Sequence, residues 1–117
     1  MATAIVVDDD VDAVEIFCDY LKLKNVTVLG RGYNGKSAVD LYRKHGPDYV
    51  FLDLMMPEYD GFYALENIRR RDPSAKIIVL AADTREETVA KLAKIKPTGI
   101  FIKPYDINKI IQLLEAV

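Results

Sequence analysis

Five short apolar runs, separated by stretches with apolar residues three or four apart, constrain this chain more than any other feature. The runs are Ala4 to Val7, Val26 to Leu29, Tyr49 to Leu52, Ile77 to Leu80 and Ile100 to Ile102. Most are continuous and β-branched, as in parallel strands covered on both faces. Between them, Val11, Val14, Cys18 and Leu21 make one helical stripe and Phe62, Leu65 and Ile68 another. Val89 with Leu92, and Ile107, Ile110, Ile111 and Leu114, extend the pattern. Strand alternating with helix five times predicts an α/β fold. Right-handed crossovers then give a doubly wound, five-stranded parallel sheet with helices on both faces.

Local punctuation agrees. Thr84-Arg85-Glu86-Glu87 reads as a capping box opening the fourth helix, and Asp106 as the N-cap of the last. His45-Gly46-Pro47 closes the second. No linker, repeat or low-complexity segment interrupts the alternation, so a single domain is expected over 1–117. A chain of 117 residues buries roughly two-thirds of its unfolded surface, enough for a core without staples. With 50% apolar and 29% charged residues, a disordered or fibrous chain is excluded. Lys and Arg total 16 against 18 Asp and Glu, which leaves no basic field for nucleic acid or an anionic membrane. The single cysteine, Cys18, forms no internal disulfide and lies on a core stripe, which points to the cytoplasm. The apolar run at the N-terminus stops at three aspartates, far too short for a signal peptide or a membrane span.

In a doubly wound sheet, ligands sit beyond the carboxyl ends of the strands. Asp8, Asp9 and Asp10 follow the first run, Asp53 follows the third, and Lys103-Pro104 follows the fifth. Three carboxylates and a lysine therefore converge on one end of the sheet. Crowded carboxylates repel one another unless a cation neutralises them. Mg²⁺ suits such a set, since it takes oxygen ligands and shares phosphate oxygens. Surface loops of an acidic chain also carry aspartates by chance, and an isolated lysine is usually solvated. The joint placement at strands one, three and five is what favours a site.

These residues resemble the receiver domain of two-component response regulators, of the chemotaxis-regulator type. The resemblance runs from Ala4 to Val117 and is carried by Ile5-Val6-Val7-Asp8-Asp9-Asp10, Asn34-Gly35-Lys36-Ser37-Ala38, Phe51 to Gly61, and Lys103-Pro104-Tyr105. It implies a flavodoxin-like strand order of 2-1-3-4-5. It also implies that Asp53 is a phosphoacceptor, with Asp9 a direct Mg²⁺ ligand, Asp8 acting through water, and Met55 contributing its backbone carbonyl. Lys103 would pair with the phosphoryl group, and the Ala82 N–H would still face it. Asp10 has no such role and reads as helix-start chemistry. The implied partners are a sensor histidine kinase or phosphotransfer protein and a downstream target or output domain. No external substrate, nucleic acid or membrane is expected.

Two positions depart from the family pattern. Ala81 stands where a Ser or Thr usually bonds a phosphoryl oxygen, and Ile100 where an aromatic usually precedes the lysine by three residues. Both members of a hydroxyl–aromatic relay are missing. A degenerate receiver, acting as an interaction module without phosphorylation, is the alternative these positions support.

Other motifs compete. Gly30-Arg31-Gly32-Tyr33-Asn34-Gly35-Lys36-Ser37 fits the phosphate-loop pattern G-x-x-x-x-G-K-S/T and contains G-x-G-x-x-G. A nucleotide-binding reading leaves Asp8, Asp9 and Lys103 without work, and Asn34-Gly35 reads more simply as a turn into a helix. A haloacid-dehalogenase-like phosphatase needs an acid two residues after its nucleophile, where this chain has Met55. Arg69-Arg70-Arg71 reads as a solvated charge run at a helix end, and the lone His45 has no partner in the pattern.

Overall fold

In a computed structural model, residues 2–82 and 84–116 are described; Met1, Asp83 and Val117, which the expected 1–117 domain includes, lie outside the described residues. The elements run β1 Thr3–Val7, α1 Val11–Leu23, β2 Thr27–Gly32, α2 Gly35–His45 and β3 Tyr49–Asp53. They continue as α3 Gly61–Arg71, β4 Ile77–Ala81, α4 Glu86–Ile95, β5 Gly99–Ile102 and α5 Ile107–Ala116. All pairings are parallel, in the order β2-β1-β3-β4-β5. The doubly wound α/β expectation is met.

Alternation along each central strand splits the core in two. Ile5, Val7, Val50, Leu52, Ile77 and Val79 pack on one face with Ala64, Leu65, Ile68 and Leu92 from α3 and α4. Ala4, Val6, Tyr49, Phe51, Ile78 and Leu80 pack on the other with Phe17, Cys18 and Leu21 of α1 and Ile110 of α5. Burial on both faces is why these runs are continuously apolar. The edge strand β5 differs, leaving Ile100 44% and Ile102 45% exposed.

Helix starts follow the side-chain capping rule in four places. Asp10 accepts from the Asp12 and Ala13 amides, Asn34 from Ser37, Asp60 from Tyr63, and Asp106 from Asn108. Helix α2 ends on Gly46 in the left-handed region, at φ +53°. The expected capping box at Thr84 is not the cap. Helix α4 opens at Glu86 with Arg85 in the N-cap position, and a guanidinium has no acceptor to offer an N–H group.

The arginine run also needs correction. Arg69 is not merely solvated: its Nη1 donates to the carbonyls of Pro73 and Ala75, and its Nη2 to the Lys96 carbonyl at 3.1 Å and Thr98 Oγ1 at 3.3 Å.

Candidate functional site

The strand ends bring the acidic residues together because β1 and β3 are neighbours in register, Val7 opposite Leu52. Asp8 and Asp53 follow directly in sequence on those strands. Asp8 is anchored by its own amide, which donates to the Gly32 carbonyl at 3.2 Å, and its Oδ1 accepts from the Asp10 amide at 3.0 Å. The loop after β3 is fixed where it re-enters α3. The Gly61 amide donates to the Leu54 carbonyl at 2.9 Å, and a Cβ at Gly61 would overlap the Asp53 carbonyl oxygen. Only glycine permits that approach.

Asp8 and Asp53 are 9% and 5% exposed, whereas Asp9 lies at the surface. One carboxylate oxygen from each of Asp8, Asp9 and Asp53 lies within 4.8 Å of the others. Lys103 arrives from the end of β5, whose neighbour β4 ties it down: the Lys103 amide donates to the Ala81 carbonyl at 2.8 Å. Its Nζ then donates to Asp8 Oδ2 and Asp53 Oδ1, both at 3.2 Å. Sequence reasoning thus located all four groups, and the fold joins them.

The electrostatics are those of a crowded, partly desolvated anion cluster. Burial, then the Asp8 charge, pushes the Asp53 carboxyl above its usual range, against the pull of Lys103. Asp9 is raised by desolvation and by its hydrogen bond and charge contact with Asp8. Burial works against the Lys103 charge, but Asp53 and Asp8 outweigh it and hold the ammonium above its usual value. An all-oxygen donor set with excess negative charge fits a hard divalent cation such as Mg²⁺. Among the described residues, Asp8, Asp9 and Asp53 are the acidic group so arranged.

Met55 and Ala82 lie on the loops after β3 and β4, and the hydrogen bonds of Lys103 join Asp8 and Asp53 without them. The Met55 side chain is 56% exposed. Ala81 is 1% exposed, so a buried methyl occupies the place of the missing hydroxyl, and Ile100 faces outward. Two further features escaped the sequence. A cleft beside Met55 is bounded by Phe62, Arg85, Thr88 and Lys91, with Lys91 Nζ 4.3 Å from the Phe62 ring centre. Tyr105 packs edge-on against Phe17 at 5.9 Å, and burial raises its hydroxyl pKa. The sparse apolar spacing of α4 was the one available hint of the cleft.

The phosphate-loop pattern is not a phosphate cradle. Gly30 and Gly32 lie inside β2, only two residues separate β2 from α2, and the Gly35 amide is spent on the Tyr59 carbonyl at 2.6 Å.

Comparison with known proteins agrees with this geometry. The response regulator receiver domain family matches residues 4–115. The chemotaxis protein CheY of Listeria monocytogenes is 32% identical over 115 residues, covering 98% of this chain and 97% of that one. CheY of Thermotoga maritima is 31% identical, with coverage of 97% and 94%. In the CheX–CheY–BeF₃–Mg²⁺ complex from Borrelia burgdorferi, the matching chain is 27% identical and superposes with a TM-score of 0.89 over 98% of this chain and 87% of its own length. A LuxR-family DNA-binding response regulator from Staphylococcus aureus, 21% identical, shares the fold with a TM-score of 0.92, covering 99% and 98%. With its strand order, its carboxylate cluster and its bridging lysine, the chain belongs to the receiver-domain family of two-component response regulators.

Proposed function

We propose that the whole chain, 1–117, works as one receiver that accepts a phosphoryl group on Asp53 from a phosphohistidine. The donor would be a sensor histidine kinase or a phosphotransfer protein. An Asp53 carboxylate oxygen attacks the phosphorus in line, the phosphorus–nitrogen bond breaks, and the imidazole leaves with the electron pair and takes up a proton. Lys103 holds Asp53 in place and neutralises charge on the transferred oxygens. Asp8, Asp9, Asp53 and the Met55 carbonyl would hold Mg²⁺, which when bound offsets charge on the phosphoryl group. The Ala82 N–H, directly after β4, would face that group. The observation that carries this reading is Lys103 Nζ bridging buried Asp53 and Asp8 at 3.2 Å each.

A downstream protein target or output domain reads the phosphorylated form. The reading places this work in the cytoplasm; among the described residues no helix is long and apolar enough to cross a membrane. Incubation with Mg²⁺ and a small phosphodonor, followed by intact mass, should show one phosphoryl group, lost in Asp53→Asn. Label that persists in Asp53→Asn would move the acceptor elsewhere. Buried Ala81 and outward Ile100 favour a second reading, an interaction module that does not switch by phosphorylation, and failure of the unaltered protein to take label would support it.

A further inference from the structure

The turn from β2 into α2, Gly32 to Gly35, touches both loops that carry the carboxylates. On one side the Gly32 carbonyl accepts from the Asp8 amide at 3.2 Å. On the other the Gly35 amide donates to the Tyr59 carbonyl at 2.6 Å. Tyr59 lies on the loop that leaves Asp53, carries Met55 and re-enters the fold at Gly61. Gly35 is the first residue of α2, and the first amides of a helix have no partner within it. The Asn34 side chain takes the Ser37 amide at 2.8 Å, and the Tyr59 carbonyl takes that of Gly35. The start of α2 is thus spent on the acceptor loop.

This contact leaves no room for another residue type. A Cβ on Gly35 would overlap the Asp60 carbonyl oxygen and come within 2.9 Å of that of Tyr59. Both are backbone atoms, and Asp60 is itself fixed as the cap of α3. Relief therefore means parting α2 from the loop. At its near end the loop is held by the core, since Leu54 and Met56 are buried and the Leu54 carbonyl accepts from Gly61. Beyond Met56, Pro57 and Glu58 are exposed, and Glu58 stands at φ +67°. A non-glycine residue keeps that conformation only where its surroundings impose it. The Gly35 bond to the next residue supplies such a constraint. The Tyr59 ring is flanked by Tyr63, at 4.9 Å between ring centres, and by Lys36 Nζ at 5.9 Å.

We propose that the turn Gly32 to Gly35 is a clasp that sets the two loops of the metal site relative to each other, with Gly35 as its positioning residue. The role rests on the proposed assignment of Asp8, Asp9, Asp53 and the Met55 carbonyl to Mg²⁺. That ion demands near-octahedral geometry, so ligands drawn from two loops must be held at a fixed separation. The strands β1 and β3 fix Asp8 and Asp53 at their ends, which leaves the loop beyond Asp53 to be placed. Gly35 ties that loop to the same turn that holds the Asp8 amide. It acts through the Tyr59 carbonyl and touches neither a ligand nor the ion. The octapeptide that mimics a phosphate loop thus acquires work without binding phosphate.

Titration of the full chain with Mg²⁺, followed by amide chemical shifts in NMR, tests the clasp. Gly35→Ala should raise the Mg²⁺ Kd about tenfold, the lower end of the loss when a metal site forfeits an outer support. Val39→Ala, which trims the packing of α2 on the core and leaves the clasp, should melt lower yet keep the parental Kd. Tyr59→Leu, which removes the ring and keeps the carbonyl, should keep it too. Should Gly35→Ala not fold, Asn34→Ala takes its place, since it loosens the first turn of α2 by removing the cap. It should raise the Kd about fivefold, the fold-change equivalent to a cap of ~1 kcal/mol. In the unaltered protein, saturating Mg²⁺ should slow exchange of the Gly35 amide about tenfold, because coupling between clasp and ion is reciprocal. A parental Kd in Gly35→Ala, or in Asn34→Ala where Gly35→Ala does not fold, would overturn the clasp while the metal assignment stands. So would an equal rise in Val39→Ala, or Gly35 exchange that bound Mg²⁺ leaves unchanged. Absence of any Mg²⁺-dependent shift in the unaltered protein would overturn the metal assignment itself, and the clasp's role with it.

Discussion

A lysine held between two buried carboxylates is a residue-scale commitment: removing it strands both anions. Lys103→Gln should therefore slow labelling of Asp53 about 100-fold while Asp53 remains the acceptor, as expected when one preorganised charge contact is lost. Intact mass against time measures this; an unchanged rate would deny Lys103 its role. Tyr42 makes a second, separate prediction. Its hydroxyl donates to Asp72 Oδ2 at 2.7 Å. Burial, that hydrogen bond and the Asp72 charge push its pKa from 10.0 up to about 12. The folded protein then keeps this proton at pH values where the unfolded chain has lost it. The stabilisation is complete below pH 10 and is lost as pH rises through about 12. Tyr42→Phe should be less stable by about 1 kcal/mol at neutral pH and should lack that alkaline step, read by urea midpoints from pH 7 upward. At this scale the sequence was informative where residue type and chemistry coincide, as for Asp53 and Lys103. It was silent on Arg69, because the backbone carbonyls it meets, Pro73 and Ala75 in the loop that follows and Lys96 at the end of α4, leave no trace in residue identity.

At the scale of elements, the turn after β3 carries a tight constraint. Gly61 starts α3 with its Cα against the backbone of Asp53 and Leu54, and a Cβ there would come within 2.6 Å of Leu54 Cα. Neither neighbour is a flexible side-chain end, so the backbone itself must shift. Gly61→Ala should cost about 3 kcal/mol, the upper part of the overpacking range, and displace the acceptor. Urea unfolding would show the loss and a phosphodonor would show slowed labelling; Gly61→Ala with parental values in both would refute the constraint. Element types were legible because each has its own period: continuous runs for β1, β3 and β4, and apolar stripes for the helices. Boundaries were less so. Strand β2 runs to Gly32, beyond its apolar run, because Val7 of β1 supplies a partner there that local sequence cannot reveal. The start of α4 was misplaced for a related reason: Thr84 and Glu87 have the capping-box spacing, but the chain enters the helix one residue later.

For the molecule as a whole, the sheet sets stability against function. Interleaving β1 and β3 at the centre buries the apolar faces of both and forces Asp8 and Asp53 side by side at their ends. Burial first, and then the Asp8 charge, hold Asp53 above the usual carboxylate range against the opposing pull of the lysine. The metal-free fold therefore carries an unfavourable charge contact that two changes should relieve. The first is Asp53→Asn, which keeps the shape and removes one negative charge, so metal-free Asp53→Asn should melt above the parent protein. The second is a divalent cation. If Mg²⁺ binds the native state alone, a concentration ten times its Kd adds about 1.4 kcal/mol. For a chain of this length that is a rise in melting temperature of about 5 °C. The two effects must compete, because Asp53→Asn removes a ligand as well as a repulsion. The order of melting temperatures is therefore fixed without Mg²⁺, with Asp53→Asn above the parent, and the gap should close or reverse when Mg²⁺ is added. Asp9→Asn should likewise lose most of the Mg²⁺ increment while gaining less than Asp53→Asn in its absence, since Asp9 lies at the surface and water already screens its charge. Identical melting of the parent with and without Mg²⁺ would show that the cluster does not bind the ion.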